Sequence, residues 1–360
     1  MLAVAAAAPE LEPDVGPLRP VRVGIAGLGR MGVAHAAVLS MFPAVTLVGA
    51  VDGQPSAGRR FHGLGFEVPV HRALDALLDD GVDAVWICTP PDSHLPLARR
   101  CLARHVAVFV EKPLAHSLED AAALTTLARN ATRPVVCGYT LAFWPSFVAA
   151  RELLRAGAIG APRRAESSMF LSQVSGPQRG WMYDRARSGG GVVANVSSHL
   201  LFLLRAYFGM PTVVRASWSR VHTAVEDELR ATLAMPRCPE VTFHSSWAVP
   251  GYPLSMTTIA VEGADGMLSV RNDGIRVELR EARLGLPAGV SWIGEAALPQ
   301  PARFLFNGEA YVLEDAHALR WMTGGAPPPI TTDAALDVQR IMHALYASAE
   351  NGGRPATVPA

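Results

Sequence analysis

Short apolar runs alternate with helical segments from Val21 to about residue 138. The runs are rich in β-branched residues, which predicts buried strands. They read VRVGIAG, TLVGAVD, DAVWICTP, VAVFVEKP and PVVCGY. The segments between them, such as RMGVAHAAVLSMF, carry apolar residues at helical spacing. Because helices that alternate with strands form crossovers between parallel neighbours, we predict an α/β Rossmann domain with a doubly wound parallel sheet.

The second half of the chain has a different rhythm. Strand-like runs follow one another through short turns, as in DELRATLAM, EVTFHSSWAV, MTTIAVEG, GMLSVRN and GIRVELRE. This arrangement predicts a large, open, mostly antiparallel sheet, with hairpins at EGADG and RNDG. We therefore predict a disordered lead-in over residues 1–20, a dinucleotide-binding domain over 21–138 and an α+β substrate-binding and oligomerisation domain over 139–360. The C-terminal amphipathic helices are free to pack back on the first domain.

Charge and cysteine usage exclude several classes of function. The formal net charge is zero and there are no basic runs, so nucleic acid and anionic membranes are not expected partners. The four cysteines show no zinc-ligand spacing, so we predict no metal site and a reducing, cytoplasmic location. The lead-in lacks a basic n-region and is not expected to be a signal peptide, and no apolar run reaches the ~18 residues of a membrane span.

A glycine motif lies at the first strand–helix junction. Gly27, Gly29 and Gly32 form G-x-G-x-x-G between a predicted strand and a predicted helix. The first glycine permits a tight turn, the second lets backbone amides approach a pyrophosphate, and the third allows close helix–strand packing. Asp52 follows Gly32 by 20 residues, at the end of the second strand, where an acid binds the adenosine ribose. The pattern predicts a dinucleotide cofactor.

The residues after Asp52 bear on the choice of cofactor. The sequence continues Gly53-Gln54-Pro55 without an arginine that would receive a 2′-phosphate. This favours NAD over NADP. Arg59 and Arg60 follow closely and keep NADP open.

Lys112 is the only lysine among 32 lysine and arginine residues. It lies just past the strand VAVFV, at the carboxyl edge of the predicted sheet, where ligands of open α/β sheets bind. An ammonium can be shifted by burial towards neutral pH, whereas a guanidinium cannot act as an acid there. The alternative is a lysine that survived by drift, which would more often lie on a solvated helix face. We therefore predict a chemical role for Lys112.

Several motifs, taken in order, resemble those of the Gfo/Idh/MocA oxidoreductases. They are AGLGRMG, Asp52, CTPPDSH, VEKPLAHS, GYTLAFWPSF and SGGGVVANVSSHLLFLLRAYFG. The resemblance spans roughly residues 21–209. It implies a two-domain NAD(P)-dependent oxidoreductase and a homo-oligomer, dimer or tetramer, that buries the open face of the second sheet.

The resemblance also implies roles by position. Lys112 would contact the reacting hydroxyl or carbonyl and shuttle its proton, and His199 would be a second acid–base residue. Asn195 stands where many members have aspartate, and an amide cannot take a proton, so it would hold a substrate hydroxyl. Asn195 and His199, four residues apart on one helix, would point the same way. The implied cofactor contacts are Gly27, Gly29, Arg30, Met31, Gly32, Asp52, Thr89, Pro90, His94, Glu111 and Lys112.

Other residues bear on the substrate. The segment GYTLAFWP lacks the polar residue that many sugar-oxidising members have after Gly-Tyr. This apolar wall favours a bulkier or less polar substrate, such as a glycoside or a nucleotide-linked sugar. We expect Tyr139, Trp181 and Tyr183 to contact the substrate, as well as Asn195 and His199. For Trp181 and Tyr183 the alternative is an ordinary loop residue that covers the core.

The predicted function is hydride transfer between a nicotinamide and a secondary alcohol or ketone of a sugar-like or cyclitol substrate. One alternative is an enzyme that recycles tightly held NAD, with net epimerisation, elimination or hydrolysis. Another is a non-catalytic nucleotide-binding regulator on the same scaffold. Asn195 and the apolar GYTLAFWP segment favour the regulator, whereas Lys112 and His199 oppose it.

Overall fold

The computed structural model describes residues 18–174, 178–298 and 309–360. Residues 1–17 of the predicted lead-in lie outside this part of the chain. The described residues form two units. The first contains residues 18–139 and 309–336, and the second contains residues 140–174, 178–298 and 337–360.

The first unit is built on a six-stranded parallel sheet in the order β3-β2-β1-β4-β5-β6. Its strands are β1 Val21–Ala26, β2 Val45–Val51, β3 Val70–His71, β4 Ala84–Ile87, β5 Ala107–Val110 and β6 Val135–Cys137. The helices that alternate with them are α1 Arg30–Leu39, α2 Pro55–Gly63, α3 Leu74–Asp79, α4 His94–Ala103 and α5 Leu118–Arg129. This order confirms the predicted Rossmann topology, in which the strand order reverses between β1 and β4.

The central strands are apolar because both faces of the sheet are covered. Every residue of β4, β5 and β6 is buried. Continuous apolar runs are the expected pattern for such strands. Because the strands are parallel, the carboxyl ends of β1, β2, β4 and β5 share one edge of the sheet. This edge carries the glycine turn, Asp52, Thr89 and Lys112.

A helix from the far end of the sequence completes the first unit. Helix α9, Glu309–Met322, belongs to it although residues 140–308 separate the helix from Tyr139 in the sequence. The segment after α9 joins the edge of the sheet, where the Cys137 amide donates to the Ile330 carbonyl at 3.1 Å. Residues 309–336 thus belong with the dinucleotide-binding unit and not with the rest of the 139–360 region.

The second unit contains a nine-stranded sheet in the order β14-β13-β12-β11-β7-β10-β9-β8-β15. Only the β7–β10 pair is parallel, which confirms the predicted mostly antiparallel sheet. The strands are β7 Pro162–Phe170, β8 Val213–Ser219, β9 Glu228–Met235, β10 Cys238–Ser246, β11 Met256–Gly263, β12 Gly266–Arg271, β13 Gly274–Leu279, β14 Gly289–Gly294 and β15 Ala356–Thr357. The predicted hairpins at EGADG and RNDG join β11 to β12 and β12 to β13.

The helices of the second unit are α6 Pro145–Arg155, α7 Arg185–Ser188, α8 Ser198–Phe208 and most of α10 Thr332–Glu350. The helical stretch Arg185–Phe208 has the length and composition of a membrane span, but 78% of its most apolar window is buried within the protein. Such burial is typical of a core helix. Mean hydropathy alone would not separate the two cases.

Candidate active site

The glycine turn between β1 and α1 has the close contacts that its motif predicts. Gly27 has a φ of +94°, and a Cβ there would lie 2.8 Å from the carbonyl oxygen of Cys88. A Cβ on Gly32 would lie 1.8 Å from the carbonyl oxygen of Gly27. Both positions therefore require glycine, the first for its backbone conformation and the second for the close approach of α1 to the turn.

Gly29 differs from the other two glycines because no atom lies within 4 Å of where its Cβ would be. It caps α1 without a side-chain hydrogen bond, and the first turn of α1 carries no acidic residue. The N-terminal amides of α1 therefore lie next to open space. Arg30 is exposed and Met31 is partly exposed at this end of the helix. A helix N-terminus of this kind fits an anionic pyrophosphate.

Asp52 links the end of β2 to the glycine turn. One carboxylate oxygen accepts a hydrogen bond from the Leu28 amide at 2.8 Å, and the other accepts from the Gln54 amide at 2.8 Å. These bonds fix the side chain beside the turn while it remains partly exposed. Each oxygen keeps acceptor capacity that a ribose hydroxyl can use. Arg59 and Arg60 are exposed on α2.

The segment after β4 is held by a buried histidine. Thr89 and Pro90 are partly exposed, whereas His94 is completely buried. The His94 Nε2 lies 2.9 Å from the Thr89 carbonyl, and Nδ1 lies 3.1 Å from the Pro113 carbonyl. Burial lowers the pKa of His94, so the ring is neutral and donates to one carbonyl at a time. The His94 ring therefore links two protein segments at the sheet edge where the cofactor is predicted to bind. The ring itself has no solvent-exposed surface.

Lys112 follows β5 and is partly exposed, while Glu111 beside it is buried. The Lys112 amide donates to a carboxylate oxygen of Glu111 at 3.0 Å. Burial lowers the pKa of the Lys112 ammonium, Glu111 opposes the effect, and the Arg30 guanidinium adds to it. The one lysine of the chain is thus an ammonium biased towards giving up its proton.

Asn195 and His199 lie in the second unit, on one partly exposed side of a buried helix. The chain from Val193 to Ser197 forms a π-helical turn and continues directly into α8. Between residues 191 and 200 only these two side chains are partly exposed; all the others are buried. A π-helical turn inside a helix is frequent at functional sites. The predicted pairing of Asn195 and His199 on one face agrees with this exposure pattern.

The sequence did not point to the residues that anchor this helix. A Glu226 carboxylate oxygen accepts from the Gly191 amide at 2.6 Å, from the Val193 amide at 3.2 Å and from the Tyr346 hydroxyl at 2.6 Å. A Cβ on Gly190 would lie 1.7 Å from the Tyr346 hydroxyl oxygen. The glycines at this turn therefore make room for Glu226 and Tyr346. No sequence signal connects residues so far apart.

The other predicted substrate contacts differ in exposure. Tyr139 is completely buried at the end of the first unit, so its side chain has no surface to offer a substrate. Trp181 and Tyr183 are partly exposed, and the Tyr183 ring lies 5.6 Å from that of Trp247. In the GYTLAFWP segment, residues 141–143 are buried, and the Trp144 Nε1 donates to the Asn272 carbonyl at 2.8 Å. Most of the predicted apolar wall is therefore core.

Within the described ranges, no group of three or more His, Cys, Asp or Glu side chains is arranged to hold a metal ion. Lys112, Asp52, Thr89 and the glycine turn all belong to the first unit, and Asn195 and His199 belong to the second.

Both halves of the chain match models of known protein families. Residues 21–139 match the model of an oxidoreductase family with an NAD-binding Rossmann fold, and residues 147–269 match the Gfo/Idh/MocA C-terminal domain. The chain belongs to the Gfo/Idh/MocA oxidoreductase family. This confirms the resemblance drawn from the motifs, and residues 21–139 are an NAD-binding Rossmann fold.

Individual relatives are similar over different lengths. An inositol 2-dehydrogenase of Rhizobium meliloti is 35% identical over 190 residues, which is 52% of this chain and 55% of the relative. A D-apiose dehydrogenase of Paraburkholderia graminis is 27% identical over 311 residues, covering 82% of this chain and 78% of the relative. The match to the first thus spans about half of that relative's length. A crystal structure of GenD2 from gentamicin A biosynthesis, in complex with NAD, has a TM-score of 0.80 at 26% identity and covers 95% and 97% of the two chains.

Proposed function

We propose that this protein is an NAD-dependent dehydrogenase that interconverts a secondary alcohol and a ketone of a sugar-like or cyclitol substrate. Lys112 carries the proton of the reacting oxygen, and His199 assists. The observation that carries the proposal is the position of Lys112: the only lysine of the chain lies at the same sheet edge as the glycine turn and Asp52, with an ammonium pKa lowered by burial.

The residues of the first unit fit the cofactor. The open space at Gly29 and the uncapped N-terminus of α1 suit the pyrophosphate, and Asp52 suits the adenosine ribose. The negative charge of Asp52 opposes a 2′-phosphate, so we propose NAD as the cofactor. When bound, NAD supplies the hydride acceptor, and its reduced form supplies the hydride.

Lys112 and His199 divide the acid–base work in this proposal. An ammonium of lowered pKa donates a proton to a developing alkoxide or holds a carbonyl oxygen, and its neutral form takes the proton back. His199 supplies an imidazole, which both donates and accepts protons, as the second group. Asn195, an amide, binds a substrate hydroxyl by hydrogen bonding only.

The substrate class follows from the relatives and from the exposed residues. The curated relatives act on an inositol and on apiose, so a compact polyol ring is the core of the proposed substrate. Trp181 and Tyr183 are partly exposed in the loop before the glycine triplet and would contact a larger substituent. We therefore include glycosides and nucleotide-linked sugars, and we keep Trp181 and Tyr183 as the proposed aromatic contacts.

The decisive experiment compares wild type with Lys112→Arg and Lys112→Met. NAD(H) binding is measured by fluorescence, and turnover is measured with both cofactors against inositols, aldoses, ketoses and glycosides. We expect both variants to bind NADH within about threefold of wild type and to lose kcat by about 100-fold or more. Arg104→Lys, on the exposed surface at the end of α4, is the control for exchanging one cation for the other.

The outcomes separate the alternatives. If Lys112→Arg keeps full activity, a titrating ammonium is not required and the proposed role of Lys112 is wrong. If substrate is converted while the NADH absorbance stays constant, the enzyme recycles its cofactor. If wild type binds NADH and converts no substrate in the panel, the non-catalytic regulator is favoured.

The proposal includes assembly and location. Met267 on β12 and Val290 and Trp292 on β14 are exposed on one side of the large sheet. Exposed apolar groups on a sheet face favour a protein partner. We propose that a second copy of the chain covers this face, and that the homo-oligomer works in the cytoplasm.

A further inference from the structure

A histidine lies between two carboxylates in the interior of the first unit. His35, on α1, is completely buried, and so is Asp315, on α9. The His35 Nδ1 lies 2.9 Å from one oxygen of Asp315, and Nε2 lies 3.1 Å from an oxygen of Glu111. A carboxylate only accepts hydrogen bonds, so a ring with both nitrogens protonated satisfies both neighbours.

The cluster continues on both sides of the histidine. The Trp86 Nε1 donates to Asp315 at 3.0 Å, and Trp86 is completely buried in β4. The Phe109 ring, in β5, lies 4.9 Å from the His35 ring and stacks on Trp86 at 5.4 Å. Helix α9 and the strands β4 and β5 therefore supply the groups that fix the orientation of His35.

At its other end the cluster reaches the backbone of the lysine. One oxygen of Glu111 faces His35, and the other accepts the hydrogen bond from the Lys112 amide. Glu111 is only 8% exposed, so its carboxylate has little water to stabilise it. A buried carboxylate that is hydrogen-bonded at both oxygens keeps one orientation. The backbone of Lys112, which donates to it, is held in place as well.

We propose that His35 and Asp315 are positioning residues that act through Glu111 on Lys112: they hold the Glu111 carboxylate against the lysine backbone and balance its charge. This proposal rests on the proposed role of Lys112. Trp86 supports the pair by fixing Asp315.

The electrostatics agree with the geometry. Burial alone would lower the pKa of His35, but the carboxylates of Asp315 and Glu111 outweigh it and raise the pKa well above its ordinary value. The ring thus stays an imidazolium over the neutral range. Among the described residues, Asp315 and Glu111 are the charged groups that raise the His35 pKa, and the rings of Phe109 and Tyr311 lie against the imidazole at 4.9 and 5.9 Å.

Lys112 responds to the charge that the cluster presents. Burial lowers its pKa; Glu111, Cys137 and Glu314 raise it, and Arg30 lowers it. The imidazolium of His35 counters part of the Glu111 charge. Removing the imidazolium therefore leaves Glu111 more negative towards the lysine, and the Lys112 pKa rises. Removing the Glu111 charge has the opposite effect.

The single lysine makes a direct test available. Protein grown with 13C-labelled lysine gives one side-chain signal, and its pH titration measures the Lys112 pKa without substrate or cofactor. The variants are His35→Gln, Glu111→Gln and Asp315→Asn. The control is Thr125→Val in α5, which removes a buried hydrogen-bonding group of the same unit that has no link to Lys112.

We expect the Lys112 pKa to rise by about 0.5 or more in His35→Gln and to fall by a similar amount in Glu111→Gln, with Thr125→Val unchanged. In Asp315→Asn the imidazole loses its main partner and becomes neutral within the neutral range. A descending limb that wild type lacks should then appear in the kcat–pH profile, with NADH affinity kept within about threefold.

Other outcomes overturn the proposal. If His35→Gln and Thr125→Val titrate like wild type, the cluster does not act on Lys112. If Asp315→Asn lowers kcat equally at every pH, its role is ordinary packing. If His35→Gln does not fold, the isosteric Asp315→Asn carries the same titration. Failure of the proposed dehydrogenase function would appear separately, as wild type without turnover, and would leave the titration result standing.

Discussion

Glu226 accepts a hydrogen bond from the Gly191 amide at 2.6 Å, directly before the helix that carries Asn195 and His199. The two residues are 35 positions apart. Glu226 also accepts a hydrogen bond from the Tyr346 hydroxyl at 2.6 Å, so it joins α10 to the start of this helix. The proposed substrate-binding side chains therefore take their position from a buried carboxylate in another segment of the chain.

Removing the Glu226 side chain should loosen this helix. In Glu226→Ala three hydrogen-bond donors lose their acceptor inside the protein, and we expect the free energy of unfolding to fall by about 2–4 kcal/mol. Glu226→Gln keeps an oxygen acceptor and should lose less than about 1 kcal/mol. Urea-induced unfolding measures both. Equal losses in the two variants would show that the lost hydrogen bonds are not the cause.

Glu226 also predicts a pH dependence of stability. Burial raises its pKa, against the hydrogen bonds from Tyr346 and the amides of Gly191 and Val193. A raised carboxyl pKa means that ionisation costs more in the folded protein than in the unfolded chain. The stability contributed by the protonated group is present below the unfolded pKa and is lost as pH rises through the folded pKa. The Tm of Glu226→Gln minus that of wild type should therefore increase between about pH 4 and pH 8.

The control for this pH series is Glu240→Gln, at an exposed position of β10. Its Tm difference from wild type should stay nearly constant over the same range. A flat difference for Glu226→Gln as well would mean that Glu226 titrates at its ordinary pKa.

Alanine substitutions at two glycines of the turn after β1 should have different effects, one on cofactor binding and one on stability. Gly29→Ala meets no atom of the protein, so we expect an unchanged Tm and an NADH affinity weakened by about tenfold or more, because the methyl group occupies the space proposed for the pyrophosphate. Gly32→Ala would place its Cβ 1.8 Å from the Gly27 carbonyl and should cost more than about 2 kcal/mol of stability. Calorimetry and NADH titration separate the effects. Tight NADH binding by Gly29→Ala would place the pyrophosphate elsewhere.

Asp52 should decide the preference between the two cofactors. Asp52→Asn keeps an acceptor for the Leu28 amide but removes the negative charge beside the ribose. We expect the ratio of kcat/KM with NAD to kcat/KM with NADP to fall by about tenfold. The double variant Arg59→Ala with Arg60→Ala tests the other possibility. If the double arginine variant loses turnover with NADP while Asp52→Asn keeps it, these arginines receive the 2′-phosphate.

The exposed side of the large sheet should determine the oligomeric state. Two charges introduced together by Val290→Glu and Trp292→Glu would be desolvated in an interface on this face, so we expect the molar mass in light scattering to fall to that of one chain. Leu254→Glu, at another exposed apolar position, is the control. An oligomer that persists in the double variant must use a different surface.

The sequence determined the fold class and the edge of the sheet that carries the cofactor residues. Apolar runs that are covered on both faces and alternate with helices specify a parallel sheet. Gly27 and Gly32 mark places where the backbone leaves no room for a side chain. The single lysine pointed to the end of β5. These signals are local, and local signals can be read along the chain.

Tertiary structure alone decided which distant groups support these residues. His35 and Asp315 are 280 positions apart, and Glu226 and Tyr346 are 120 apart. The motif predicted a substrate contact at Tyr139, yet packing buries this side chain completely. Helix α9 likewise belongs to the first unit, although in the sequence it lies between two segments of the second unit. Burial and hydrogen bonding depend on what the rest of the chain brings alongside a residue, and no periodicity or spacing encodes that partner.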